Sequence, residues 1–353
     1  MDPWPDTDAP LPHADRTGLP TYGAGVTGSP SWLRRHGLDV ARWVFLALVL
    51  VGAWWSLHDR GPQVLAALTE TSPLGIAVGA VLVVLGLLAT SVAWLRLLAG
   101  FGYSLPARPG RAVFFVGQLG KYIPGAVWSM GAHAQLAREH DVPRRVTVST
   151  SLVFLGLNLA TAALVVGAAA LAGIWDAVVP LWAVTAGTAA GVVGLSPPVV
   201  NRVGTLLSAR GGTLRLRYRD VGRLVLLMAF TWSCYAGLIV AIAPAPEPRL
   251  FPLAAAAFAL AYAVGVLVVV APAGVGAREV TLIALLAPVL GVSSATAVAL
   301  LTRVLHSGGD LLLALVAFLH ARGDSAGRPP PQYGGQGEHR GGAGRERGAP
   351  GPA

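Results

Sequence analysis

An all-α, polytopic helical membrane bundle is the fold class this sequence predicts, and three observations predict it. Of 353 residues, 54% are hydrophobic and only 12% are charged, about half the charged share of an ordinary soluble domain. Mean hydropathy is +0.62. The apolar residues are gathered into runs of about twenty, the length at which a helix covers a hydrocarbon layer of about 30 Å. This composition excludes a soluble globular enzyme, a disordered chain and a disulfide-stapled secreted domain. The runs are rich in Gly, Val, Ala and Leu without period-two alternation, which excludes a barrel.

The charge is cationic: 26 Lys and Arg against 17 Asp and Glu, a net +9. Lys121 is the only lysine. In a soluble chain such a balance points to nucleic acid. In a membrane chain it marks cytoplasmic loops, so no nucleic-acid partner is expected. The single cysteine, Cys234, lies in an apolar run and reads as a small buried residue.

Residues 1–37 are rich in Pro, Gly, Asp and Thr and read as a disordered tail; a signal peptide would need an apolar h-region. Leu38–Leu57 is the first span. Arg34, Arg35 and Arg42 at its start place the N-terminus in the cytoplasm. The loop 58–73 then lies outside. Leu74–Gly100 returns the chain to the inside, where Arg108 and Arg111 follow. Val146–Leu171 and Ala177–Val200 are joined outside by the short loop 172–176. The loop 201–223 carries Arg202, Arg210, Arg215, Arg217, Arg219 and Arg223 against the single acid Asp220, the strongest inside signal in the chain. Leu224–Ala243 and Leu250–Ala271 are joined outside by 244–249, and Ser294–His320 is the last span. Residues 321–353, rich in Gly, Pro and Arg, read as a second disordered tail, leaving 38–320 as the transmembrane domain.

Two segments are irregular. Residues 108–140 have arginines at both ends, so the segment enters and returns. Its apolar halves, Ala112–Leu119 and Ala126–Leu136, are each too short to cross, and Gly120-Lys121-Tyr122-Ile123-Pro124-Gly125 separates them. Both halves are apolar nearly all round, which favours a re-entrant hairpin over a pair of interfacial helices. Residues 272–293 open on Pro272-Ala273-Gly274-Val275-Gly276-Ala277-Arg278-Glu279 and continue as a short apolar helix, Val280–Leu290. Ser307-Gly308-Gly309 interrupts the last span, which therefore reads as two half-helices. The expected total is about seven to eight crossings: seven leave the C-terminal tail outside, whereas its arginines favour the inside, which needs eight.

Ionisable groups at membrane depth are costly, so each calls for a function or a partner. They are Lys121, His133, Arg278, Glu279, Arg303, His306 and Asp310. Pro124 suits a first helical residue. The helix beginning there points its unpaired N–H groups toward Lys121, a setting for an anion such as phosphate; the alternative is Lys121 as an anchor at the water interface. At the second break Gly274 and Gly276 let the backbone unwind, and Glu279 complements the helix dipole. Arg278 does not, and is expected to pair with Glu279, Asp310 or a ligand. Arg303, His306 and Asp310 share one helical face. The bland reading is an Arg303–Asp310 or Arg278–Asp310 pair that holds the bundle together. Two broken elements, each with Pro, Gly and a cation, match the pattern of transport sites built from discontinuous helices. There is no nucleophile elbow, zincin motif or P-loop, so no enzyme activity, metal or cofactor is expected, and transport would run downhill, on an ion gradient or on membrane potential.

The segments Gln118-Leu119-Gly120-Lys121-Tyr122-Ile123-Pro124-Gly125-Ala126-Val127-Trp128 and Ala271 to Glu279 resemble the lysylphosphatidylglycerol synthase transmembrane-region family, also called flippase-like membrane proteins. The likeness extends over roughly 38–320. Ala273 stands where a second Gly is common in the family. The resemblance implies a domain that moves lipid across the cytoplasmic membrane of a bacterium, without the soluble aminoacyl-transfer domain. The expected substrate is an anionic or aminoacylated phospholipid, or a polyprenyl-phosphate lipid, and the residues expected to hold its headgroup are Lys121, Tyr122, Pro124, Gly125, Trp128, Gly274, Gly276, Arg278, Glu279, Arg303 and Asp310. A different class of function is a non-transporting partner of a glycosyltransferase or lipid-modifying enzyme, docked through the arginine-rich loop.

Overall fold

In a computed structural model of the chain, residues 61–122, 128–174, 180–209, 211–244, 249–268 and 272–326 are described. The expected first span Leu38–Leu57, the N-terminal tail, the C-terminal tail beyond 326, and Pro124 and Gly125 lie outside the described residues. What is described is all helical. Five helices are long and apolar enough to cross a membrane, or six if one bent pair counts as a span. The protein is a multi-pass integral membrane helix bundle.

The helices follow in order. A short helix within the 58–73 loop, α1 (Gly61–Thr69), packs on the last helix. The first long span, α2 (Pro73–Gly100), starts at Pro73, whose missing N–H is harmless in the first turn. It lies against α8 (Tyr218–Ile242) along Gly75, Gly79 and Gly86. A Cβ on Gly79 would strike Leu238, and one on Gly86 would strike the Tyr235 ring, so these glycines set the close approach. The halves of the broken segment are α3 (Ala107–Gln118) and α4 (Trp128–Arg138), packed on each other. At 12 and 11 residues they reach about 16–18 Å, too short to span. Next, α5 (Arg144–Leu171) sits centrally against α2, α4, α8 and α9 (Leu250–Leu267).

The expected span Ala177–Val200 is not one helix. It divides into α6 (Leu181–Gly194) and α7 (Pro197–Leu207), bent by 77°. Pro197 and Pro198 have no N–H to continue the ladder of α6, and the Ser196 hydroxyl donates to the Val193 carbonyl at 2.7 Å, closing its end.

The last two helices are α10 (Ala277–Leu290) and α11 (Val292–Ala326). The break expected at Ser307-Gly308-Gly309 does not occur: α11 runs through it and on past residue 320. Gly309 serves packing, since a Cβ there would lie 2.8 Å from a methyl of Val83 on α2. The helix α9 ends at Leu267 rather than at Ala271.

Candidate functional site: a charged junction where two chain breaks meet

After α3 the chain tightens into a 3-10 turn, Leu119–Tyr122. Gly120 lies against the backbone of Trp128 and Ser129, where a Cβ would come within 2.7 Å. This folds the turn back over the start of α4 and leaves Lys121 and Tyr122 facing the rest of the bundle. After α9 a second 3-10 turn, Pro272–Gly274, precedes α10. Its backbone is left-handed at Ala273 (φ 48°) and Gly274 (φ 69°), and again at Gly276 (φ 85°). A Cβ on Gly274 would fall 2.8 Å from Cα of Gly265 on α9. Glycine is therefore needed at 274 for both conformation and space. The Gly276 N–H donates to Glu279 Oε2 at 2.6 Å, capping α10.

The two turns touch, with Cα atoms within 8 Å, and the first also touches α11. Lys121 Nζ lies 2.6 Å from Asp310 Oδ2. The Tyr122 hydroxyl donates to the same oxygen at 2.7 Å. The Asp310 side chain is 4% exposed and that of Lys121 is 32% exposed, so a buried carboxylate is held by a cation that still reaches solvent. On α11, Arg303 lies two turns before Asp310. Its NH1 donates to the Ala273 carbonyl at 2.9 Å and stands 3.4 Å from Glu279 Oε1. Glu279 thereby ties Arg303 and the N-terminus of α10 into the second turn.

Neither pairing expected for Asp310 is found. Arg303 takes Glu279, and Asp310 takes Lys121. Nor does Arg278 pair with a carboxylate. Its guanidinium lies over the Phe258 ring, 4.4 Å from the centroid, and its NH2 is buried with no hydrogen-bond partner among the described residues. The opposed charges here are three cations, Lys121, Arg278 and Arg303, and two carboxylates, Glu279 and Asp310. The excess cation is the one whose donor is unmatched.

His306 and Tyr235 pack against Phe258. His306 stacks on that ring at 5.1 Å and meets Tyr235 edge-on at 4.5 Å. Its Nδ1 lies 2.9 Å from the Thr302 carbonyl. Its Nε2 and the Thr302 hydroxyl are also buried without partners among the described residues. Thr302 and Phe258 escaped sequence reasoning. Thr302 was findable, because it lies one turn before His306 on the same face. Phe258 was not, since α9 is apolar on every side and no face of it stands out.

Of the other expected site residues, Trp128 opens α4 with a side chain 53% exposed. His133 is a core residue. Its Nε2 meets the Phe114 carbonyl at 3.0 Å and its Nδ1 meets Ser151 at 3.3 Å. Trp94 donates to the same serine at 3.2 Å. A satisfied, 3% exposed histidine among Trp94 and Phe114 is structural. Among the described residues no group of three or more His, Cys, Asp or Glu is placed to hold a metal ion.

A multi-pass helix bundle with a charged junction at two helix breaks is thus the class of protein defined. The chain matches the family model described as the lysylphosphatidylglycerol synthase TM region over residues 42–313, and it belongs to that family. The matched region is the non-catalytic membrane part of a lipid-handling family. No curated protein matches the chain.

Proposed function

We propose that the chain translocates a lipid with a phosphate-bearing headgroup across the cytoplasmic membrane. The observation that carries this reading is the excess cation, Arg278, whose NH2 is buried and unmatched among the described residues. A buried donor left without a partner costs about 1–3 kcal/mol. An anionic ligand would remove that cost, and a phosphate offers the acceptors that a guanidinium fork takes. Lys121, partly exposed at the first turn, is the entry contact. It exchanges Asp310 for phosphate while Tyr122 keeps Asp310 hydrogen-bonded. Arg303 is the third contact, and Glu279 or Asp310 receives the amine of an aminoacylated headgroup. The substrate class is an anionic or aminoacylated phospholipid or a polyprenyl-phosphate lipid, whose tails stay in the bilayer. Trp128 lies on the first wall of this path, and Gly274 and Gly276 shape the second. With the span Leu38–Leu57 added and the broken segments entering as hairpins, the chain crosses seven or eight times, N-terminus inside.

The test is headgroup transfer in proteoliposomes holding a fluorescent phosphatidylglycerol. Lys121→Ala and Arg278→Ala each abolish transfer while the protein stays folded and inserted. Full activity in both variants would sink the site assignment.

A further inference from the structure

The arginine-rich segment does more than mark a side of the membrane. The 77° turn from α6 into α7 opens a groove of about 690 Å³ against the first turns of α8. That is within the range of about 300–1,000 Å³ seen for small-molecule sites. Val192 of α6, Leu195 just past its end, and Val221, Val225 and Leu226 of α8 make it apolar, and Arg219 and Arg223 also line it. A smaller apolar crevice of about 210 Å³ shares Leu195 and Val221 and continues to Leu157. Neither is lined by the residues of the Lys121–Asp310 junction.

Along α8, Arg219, Arg223, Leu226 and Phe230 recur at helical spacing and form one outward stripe. Their exposures are 67%, 57%, 70% and 47%. The stripe is cationic in the first two turns and apolar beyond. Tyr218, 74% exposed, stands at its head, the position of an interfacial aromatic. Asp220 approaches both arginines, but only at 3.9 and 3.8 Å, beyond hydrogen-bond range. Its other oxygen accepts the Arg217 N–H at 3.0 Å. Two guanidinium groups one turn apart, about 6 Å between their Cβ atoms, therefore share one weak counter-charge at the end of an apolar groove.

We infer that this groove binds one anionic glycerophospholipid of the surrounding bilayer, at a site separate from the junction. Its phosphate sits between Arg219 and Arg223. One acyl chain follows Leu226 and Phe230, and the other enters the crevice at Leu195. A charge that served only to orient the chain would need neither the groove nor the stripe. Arg215 and Arg217 provide the contrast: they alternate with buried Leu214 and Leu216 and do not line the groove.

The experiment is native mass spectrometry of the purified full-length protein with added phosphatidylglycerol or phosphatidylcholine. Wild type and R215Q/R217Q retain one more phosphatidylglycerol than R219Q/R223Q, which binds the groove lipid at least tenfold more weakly and keeps the lipid bound at the junction. Equal loss in both double variants, or equal retention of phosphatidylcholine, overturns the site. A polypeptide held in place of lipid and released by R219Q/R223Q overturns it too. A photoactivatable phosphatidylglycerol on the unmodified protein gives a readout that needs no variant. Labelling concentrated on peptides holding Val192 and Leu226 supports the site, and even labelling of all lipid-facing helices overturns it.

Discussion

Lys121, the only lysine, and Asp310 meet at 2.6 Å, joining the first chain break to the last helix. The pair is unequal, with the carboxylate buried and the ammonium partly in solvent. Removing either partner should therefore have different consequences. Lys121→Ala leaves a buried carboxylate held by Tyr122 alone. Breaking a fully buried pair costs about 3–5 kcal/mol, and the exposure of Lys121 lowers this to about 1–3 kcal/mol. Asp310→Asn leaves a cation that can turn to water, so it costs less. Thermal unfolding in detergent should rank Lys121→Ala below Asp310→Asn, and the double variant should recover part of the loss.

Arg278 should separate stability from function. Arg278→Met keeps the contact with Phe258 and removes an unmatched buried donor, so the melting temperature stays or rises. Retention of anionic lipid by the purified protein falls. A strongly destabilised Arg278→Met would show that the guanidinium is held by partners that the proposed site does not include.

Arg303 reaches two acceptors on different residues, the Ala273 carbonyl and Glu279. A lysine is a point charge on a flexible stem and does not reproduce the planar fork. Arg303→Lys should cost about 1.5–3 kcal/mol, the worth of one charge-assisted hydrogen bond. Faster hydrogen exchange should be confined to residues near 272–280.

Ala273 occupies a left-handed conformation, which costs an L-residue roughly 1–2 kcal/mol. An alanine at this position is thus not conformationally neutral. Ala273→Gly recovers that strain less about 0.5–1 kcal/mol of glycine's entropy, so stability is unchanged or slightly raised. Ala273→Val, β-branched in the same backbone, should be clearly destabilised in the same unfolding assay.

The two glycines of α11 should respond in opposite ways. A Cβ on Gly308 meets nothing within 4 Å, whereas one on Gly309 crowds Val83. Gly308→Ala gains helix propensity of about 0.8–1 kcal/mol. Gly309→Ala loses packing against α2. Melting temperatures moving in the same direction would contradict this assignment.

The long spans were legible because a bilayer imposes a length, and α2, α5 and α8 fall where the apolar runs do. The two chain breaks of the junction were legible because Pro and Gly are poor continuers of a helix. The same rule misled at Ser307-Gly308-Gly309, where glycine serves close packing in a continuous helix. It also missed the turn before Pro197, because apolar residues on both sides hid a change of direction that hydropathy does not carry. The charged residues of the junction were identified individually, but their pairing was not. Arg303 and Asp310 share a face yet lie about 10 Å apart along the axis, too far to pair. Lys121 reaches Asp310 only through tertiary packing, which no local spacing encodes.

The continuity of α11 has a mechanical consequence. One unbroken rod carries Asp310 to the first break and Arg303 to the second, with no hinge between them. Whatever displaces Lys121 from Asp310 changes the load on the same rod that anchors the Ala273 carbonyl. The two halves of the junction cannot open independently, as two half-helices joined at Gly308 would have allowed.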